Sequence, residues 1–417
     1  MPAVPAPNRL LRAARERAPS RRVPGAHMSR DELAEAVALW AADHDGKRRG
    51  VAFDANHLGK LERGIVRCPR QLYVNALCAV LNATPADLGF AARSTATRPL
   101  LAEPRAVIDL FDGAPVGADY VESLHATIKH LVALDGLHGG ADVAPLALRS
   151  FRRAQRILGE GRYETASERD LEAVTAEIGE LSGWLLFDAA RHEESRQVNA
   201  EALTLARIAG DASMEWFVLS NQALASVHTG RNREALRIAQ GMTWGQDPPG
   251  RVRALFDVRA ARALAALGDS GSALRVFDRA RSAFADGTTM RDPAWSWWFD
   301  ERELAGHEGM IHAALGDHSR AIPHLAAAVE RSEHREHFRW ALYIHRANLL
   351  RALLRAGSWA EAERVAIDVA PMVGMIASVR TEGLLRRTVA HPGERPQMPS
   401  TLSDTLDYID NRLAQSQ

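Results

Sequence analysis

Apolar residues recur along most of the 417-residue chain at steps of three and four, the spacing of helices that bury one face. Leu33, Val37 and Trp40 follow this rule behind Ser29 and Glu32, which are spaced as a capping box, so a helix is expected over residues 29 to about 42. A second, short helix is expected between Asp54, a natural N-cap, and Gly64, where a left-handed residue stops a helix at least cost. On a helical wheel Leu58 and Leu61 share one face of this segment, while Asn56, Lys60 and Arg63 gather on the other with Gly59 beside them. Further on, Val121, Leu124, Ile128, Leu131 and Leu134 mark a helix over 119–134, and another follows over 142–158 after the break at His138-Gly139-Gly140.

From about residue 170 the chain repeats one device four times, a glycine followed five residues later by an alanine: Gly230/Ala235, Gly268/Ala273, Gly316/Ala321 and Gly357/Ala362. Each glycine predicts a tight turn between two helices, and each alanine a close approach of the second helix to the first. A degenerate earlier copy runs from Trp184 to Ala206. Stacked hairpins of this kind form a curved solenoid whose inner surface, lined by the first helix of each repeat, suits a peptide, a small molecule or a partner better than a catalytic pocket. Large aromatics open these first helices: Trp216 and Phe217, then Trp295, Trp297, Trp298 and Phe299, then Trp340 and Tyr343. Trp216, Trp295, Trp298 and Trp340 are therefore candidate ligand contacts, the other reading being that they fill gaps between irregular repeats. Because Trp297 and Trp298 cannot share a helix face, at least one of Trp295, Trp297 and Trp298 is expected in a groove. The chain thus divides into a head at 8–92, a helical connector at 93–169 after the hinge Arg93–Pro99, a repeat domain at 170–390, and a tail with a short helix at 391–417.

Charge changes this picture at one end only. Lys+Arg and Asp+Glu both total 52, yet the first 70 residues hold 14 of the former and 8 of the latter. Lys47, Arg48 and Arg49 lie in a glycine-bounded loop between the first two expected helices, where they can clamp a phosphate backbone or simply stay solvated. No apolar run approaches the roughly 20 residues that span a bilayer, and a cytoplasmic protein is expected. Two cysteines, Cys68 and Cys78, are too few for a metal site of their own or a disulfide framework. His307 and His312 miss the zinc-protease spacing by one residue and should diverge by about 140°. The histidines at 318, 324, 334, 337 and 345 read as scattered over polar faces. No phosphate loop, serine nucleophile or metal set is present, so an enzyme is not expected and neither is a cofactor.

The short helix ends in Glu62-Arg63-Gly64, and Arg15 precedes it in Arg12-Ala13-Ala14-Arg15-Glu16. In these residues the chain, over roughly 8 to 90, resembles the Cro/phage-repressor-like regulators of the XRE family, in which such an arginine commonly pairs with the glutamate. Glu62 stands about 40° from Leu58 and can turn inward to meet it. The resemblance implies a helix-turn-helix head on double-stranded DNA, with contacts from Arg30, Lys47, Arg48, Arg49, Ala55, Asn56, His57, Lys60 and Arg63. The long stretch from Trp40 to Ala52 departs from the family's turn of about four residues. The repeats resemble tetratricopeptide repeats with a stretched period, and Leu134–Leu146 resembles a stretch of actinobacterial regulators that join such a head to such a body. The implied protein is all-α, a dimeric sequence-specific transcriptional regulator whose body senses a small molecule or peptide or binds a partner protein. The alternative is an interaction scaffold whose head no longer binds DNA.

Overall fold

The computed structural model describes residues 7–20, 22–23, 25–44, 53–66, 69–85, 87–90, 115–241, 248–287, 289–333, 335, 338–390 and 398–415. Lys47, Arg48, Arg49, Cys68, His334 and His337, and the hinge at 93–99, lie outside them. The described residues are all-α, with eighteen helices and no strand. In chain order these are α1 (Arg9–Arg17), α2 (Arg30–His44), α3 (Ala55–Glu62), α4 (Gln71–Leu81), α5 (Ala118–His138) and α6 (Gly140–Gly159). The series continues with α7 (Glu168–Asp188), α8 (His192–Ile208), α9 (Ala212–His228), α10 (Asn232–Gly241), α11 (Gly250–Ala266) and α12 (Ser270–Ala285). It ends with α13 (Glu301–Ala314), α14 (His318–Glu333), α15 (Arg339–Ala356), α16 (Trp359–Val369), α17 (Val379–Val389) and α18 (Ser400–Gln415). The chain forms two units. The head comprises Met1–Leu100, Trp359–Val373 and Val389–Gln417; the body comprises Leu101–Ser358 and Gly374–Thr388.

In the head the two helices expected from the apolar spacing are α2 and α3. The capping box closes in both directions, Ser29 N–H donating to Glu32 at 2.8 Å and Glu32 N–H to the Ser29 hydroxyl at 3.2 Å. The bond from the Ser20 hydroxyl, with those from Ser29, holds Glu32 down to about 2. Asp54 caps α3 by accepting from His57 N–H at 2.7 Å, and Gly64 ends it with φ 72°. Leu11, Leu33, Val37, Leu58, Leu61 and Leu77 meet in one buried core. At its edge Glu62 is buried and its two oxygens take separate guanidiniums, Arg15 Nε at 2.6 Å and Arg30 Nε at 2.7 Å, while Arg15 also donates to the Met28 carbonyl at 2.9 Å. One carboxylate thus ties α1, α2 and α3 together. The sequence sets 391–417 apart as a tail, whereas α18 and α16 belong to this unit.

The body is a run of helical hairpins. Gly230, Gly268, Gly316 and Gly357 all have φ between 76° and 82°, and Ala235, Ala273, Ala321 and Ala362 are fully buried. After Gly268 and Gly316 comes an aspartate that caps the next helix, Asp269 accepting from Ser272 N–H at 3.0 Å and Asp317 from Arg320 N–H at 3.1 Å. The device thus combines a left-handed helix stop with an immediate restart. The earlier, degenerate turn places Ala190 at φ 58° without a glycine. Helices α5 and α6, expected as a connector, are part of the body instead: Leu124, Ile128, Leu131, Val143 and Phe151 share a core with Leu171, Val174, Ile178 and Leu185 of α7. An apolar face of that width has to be buried, and packing against α7 and α15 buries it. The body's two ends are stitched together, since Ala377 N–H donates to the His138 carbonyl at 2.6 Å and Ala141 N–H to the Ala377 carbonyl at 2.8 Å. Gly139 makes this approach feasible: at φ 85°, a Cβ there would lie 2.8 Å from the Ala377 backbone.

Replacing Glu62 by alanine strands Arg15 in the head core. A loss of about 3–5 kcal/mol is expected, measured as faster hydrogen exchange of the α3 amides and a lower denaturant midpoint for the head; a loss below about 1 kcal/mol would mean that the pair behaves as a surface one.

Candidate functional site

Two places hold groups that packing alone does not require, one in each unit. On α3 of the head, Asn56 and Arg63 are exposed and Lys60 is half-buried, while Leu58 and Leu61 face the core. Gly59 leaves room for Arg63 to lie along the helix, because a Cβ there would come within 3.2 Å of Arg63 Nη1. The result is an amide and two cations along about two turns of helix.

Three other residues expected to contact DNA are placed as follows. Ala55 packs on the head core. His57 is buried against Phe53 and Tyr73, with ring centroids at 4.9 and 5.6 Å, and its Nε2 lies 3.6 Å from Asp404 Oδ2 of α18. Burial lowers the His57 value and pushes Asp404 up to about 7. Arg70 approaches the same α18 carboxylates, Asp404 at 3.7 Å and Asp407 at 3.4 Å. Arg30 commits its Nε to Glu62, leaving its side chain 42 % exposed. A helical wheel could not reveal this, since the partner of His57 is near the other end of the chain.

In the body, the hairpins enclose a cavity of about 810 Å³. Part of the lining is aromatic. Trp295 and Trp298 lie on a 3₁₀ turn, Ala294–Trp298, and not on the first helix of a repeat; at three residues per turn they share a face. Phe217 stacks on Trp295 with centroids 4.4 Å apart and planes 3° apart, and the Trp295 indole donates to the Ser213 hydroxyl at 2.9 Å. Trp340 meets Trp184 edge to face at 5.4 Å, and Trp297 also reaches the cavity, beside Phe338 at 5.2 Å. Trp216 departs from expectation: it packs against Val252, Phe256 and Ala260 and does not line the cavity.

Much of the rest of the lining is charged, which the apolar spacing does not announce. Arg259 and Arg262 of α11, Arg351 of α15, and Arg380 and Arg387 of α17 all line the cavity. Burial, with Arg262 beside it, lowers Arg259 to about 9; burial, Arg351 and Arg380 lower Arg262 to about 10. His228 falls to about 3 through burial and the nearby Arg380. His307 is held well below its ordinary value by burial, Arg259 and Arg262, and is therefore a neutral imidazole. Arg259 Nη1 nevertheless lies 3.0 Å from its Nε2 and Arg262 Nη1 3.0 Å from its Nδ1. A neutral imidazole accepts at one nitrogen only, so one guanidinium faces an N–H.

Among the described residues five carboxyl groups line the cavity, Asp135, Glu177, Glu180, Asp211 and Glu303. Burial pushes Glu180 up to about 8 while it accepts from Asn221, and burial with Asp188 pushes Asp135 up to about 7 while it accepts from the Trp184 indole at 3.1 Å. Glu303 remains ionised: burial opposes its charge, but the bond from His345, with Arg302, outweighs that and holds it well below its ordinary value. His345 is thus a buried cavity residue at 3.5 Å from Glu303, not a polar-face one. Asp188 is taken by Arg380 at 3.0 Å. Arg262, Arg351 and Arg387 are left facing the cavity with no carboxylate of the described residues within ion-pairing distance. The sequence signal for them is an arginine set among alanines and leucines, as in Arg259-Ala260-Ala261-Arg262 and Leu350-Arg351-Ala352.

His307 and His312 diverge as their spacing requires. His307 enters the cavity, whereas His312 stacks on His324 at 5.6 Å. Glu308, His312 and His324 bring ligand atoms within 4.8 Å of one another, with Arg281 already on Glu308 at 3.1 Å. No protein-family model and no curated protein matches the chain.

Glu180→Gln checks the buried acid. The folded value, about 8, lies above the ordinary 4.5, so folding takes up a proton and wild-type stability falls as pH rises between those values. The variant does not titrate, and its unfolding free energy relative to wild type is expected to climb across that window by up to about 1.4 kcal/mol per pH unit. Denaturant melts from about pH 4.5 to 8.5 read the difference; a flat one would show Glu180 to be solvated.

Proposed function

We propose that the protein is a sequence-specific DNA-binding regulator of transcription, acting in the cytoplasm as a dimer on two half-sites, with its body as the seat of an effector. The observation that carries this reading is the face of α3. Asn56, Lys60 and Arg63 share it, and the helix is fixed from behind by Leu58, Leu61 and the Glu62 clamp. An asparagine amide matches the N6 and N7 edge of adenine bidentately, while lysine and arginine suit guanine edges or phosphates. Gly59 between them leaves room for the Arg63 side chain to lie along the helix. The head's cationic excess is small, so a single copy would hold DNA weakly, and two copies on adjacent half-sites raise the affinity.

An effector changes DNA affinity only by binding the free and DNA-bound forms unequally, with typical couplings of about 1–3 kcal/mol. The chain's course supports such linkage: it leaves the body after Ser358, contributes α16 to the head, returns for residues 374–388, and ends in the head with α18. The segment carrying Arg380 and Arg387 of the cavity wall is therefore continuous with head segments on both sides.

The test is a duplex selected from a random pool by the full-length protein. Asn56→Ala is expected to cost about 1–3 kcal/mol and to relax preference at one base position. Lys60→Ala and Arg63→Ala should weaken binding more evenly and flatten the slope of log affinity against log salt, by about 0.9 for each phosphate no longer neutralised. If all three variants bind like the parent, this face does not read DNA.

A further inference from the structure

The body cavity is lined by aromatic rings and by guanidiniums, some of them in contact: Arg259 lies over Trp298 at 6.0 Å and Arg380 over Trp184 at 5.4 Å. Phe217, Trp295, Trp298 and Trp340 present flat rings, and Arg262, Arg351 and Arg387 present guanidiniums whose charge the cavity's acids do not match. We infer that the cavity binds an anionic small molecule with a flat apolar body, an aromatic carboxylic or phosphoric acid derivative, its acid group on Arg262, Arg351 and Arg387 and its rings against the tryptophans. The inference rests on the reading of the body as an effector site and names the chemistry of that effector.

Three observations point to an anion and not to a cation or a neutral body. Guanidiniums partly withdrawn from water, as those of Arg262 and Arg351 are, repel one another, and an anion accepting from them and from the more exposed Arg387 at once removes that cost with charge-assisted bonds, which are stronger than neutral ones. His307 faces a guanidinium on each ring nitrogen and can accept from only one, so the surplus donor has an unmet demand that an oxyanion would satisfy. The acids that line the cavity are otherwise engaged: Glu303 by His345 and Arg302, Glu177 by His125 at 3.3 Å, Asp211 by the Met214 N–H at 3.0 Å, and Glu180 and Asp135 by Asn221 and the Trp184 indole. The aromatic lining fixes the rest of the molecule. Trp295 is already stacked against Phe217, with its indole tied to Ser213, so its orientation is set before any ligand arrives. A cavity of about 810 Å³ is of the size that encloses a compound of two to four rings.

The probe is 8-anilinonaphthalene-1-sulfonate, an aromatic anion, compared with N-phenyl-1-naphthylamine, which has the same rings without the acid. Full-length protein at neutral pH is titrated with each, following energy transfer from tryptophan. Saturable one-to-one binding of the sulfonate is expected, about tenfold or more tighter than the neutral compound. Arg387→Met, on an exposed residue that can change without disturbing the core, should weaken the sulfonate by a similar factor and leave the neutral compound unchanged; Arg387→Lys should recover part of the loss. Displacement by 1-naphthoate against 1-naphthyl phosphate then assigns the acid group. Equal affinity for the two probes, or an Arg387→Met variant that binds the sulfonate like the parent while melting normally, overturns the inference. These readouts involve no DNA: a bound anion that leaves duplex affinity unchanged would end the effector reading alone, and loss of DNA binding in Asn56→Ala leaves the cavity chemistry untouched.

Discussion

Burying charge is the constraint on which both units turn. In the head, a single buried carboxylate, Glu62, draws one guanidinium from α1 and another from the start of α2, and its own helix is the one whose outer face carries Asn56, Lys60 and Arg63. Removing a charge from such a set costs more than the set itself contributes, because the survivors are left in a low dielectric without a partner. The clamp therefore acts less as a source of stability than as a fixing of geometry. It allows only one rotation of α3 about its axis, with Leu58 and Leu61 inward and the amide and cations outward.

The body meets the same physics with the opposite sign and leaves it partly unresolved. Its guanidiniums converge from α11, α15 and α17, while Glu180 and Asp135 respond to the same burial by taking up protons. A protein core selected only for stability would replace these groups with hydrocarbon of similar volume, which is often neutral or favourable. Arg259, almost wholly buried and bonded to Ser220 and His307, can be read as structural. Arg262 reaches His307 at 3.0 Å and Arg351 the Asn348 amide oxygen at 3.4 Å, but neither they nor Arg387 meet a carboxylate of the described residues, and the proposed acid group supplies one. The aromatic part of the lining is held by its own ring contacts and bonds, a site formed in advance.

Much of the fold is legible in the sequence because it depends on local chemistry. The Ser29/Glu32 box, the Asp54 cap, the Gly64 stop and the four glycine-alanine turns are each set by residues within a few positions of one another, and all are found where the spacing puts them. Even Glu62 and Arg15, distant in sequence, are legible through a known family pattern. What is not legible is long-range. The α18 carboxylates that take His57 inward, the stitch of Ala377 to His138 and the inclusion of α5 and α6 in the body's core all join segments that no periodicity connects. The cavity falls between these cases. Trp295, Trp298 and Trp340 stand out by their clustering, though the first two on the premise of a helix where the chain makes a 3₁₀ turn, and the arginines that share the cavity with them do not stand out among the many in the sequence.

Whether α3 lies in a DNA groove is tested most directly by hydrogen exchange of the full-length protein, measured with and without a duplex it has itself selected and with no residue altered. Slowed exchange of backbone amides is expected across residues 55–64, with the body's core helices α6 and α7 unchanged. A duplex that binds with sequence preference yet leaves 55–64 exchanging as in the free protein, and protects another surface instead, would contradict the placement of α3 in the groove.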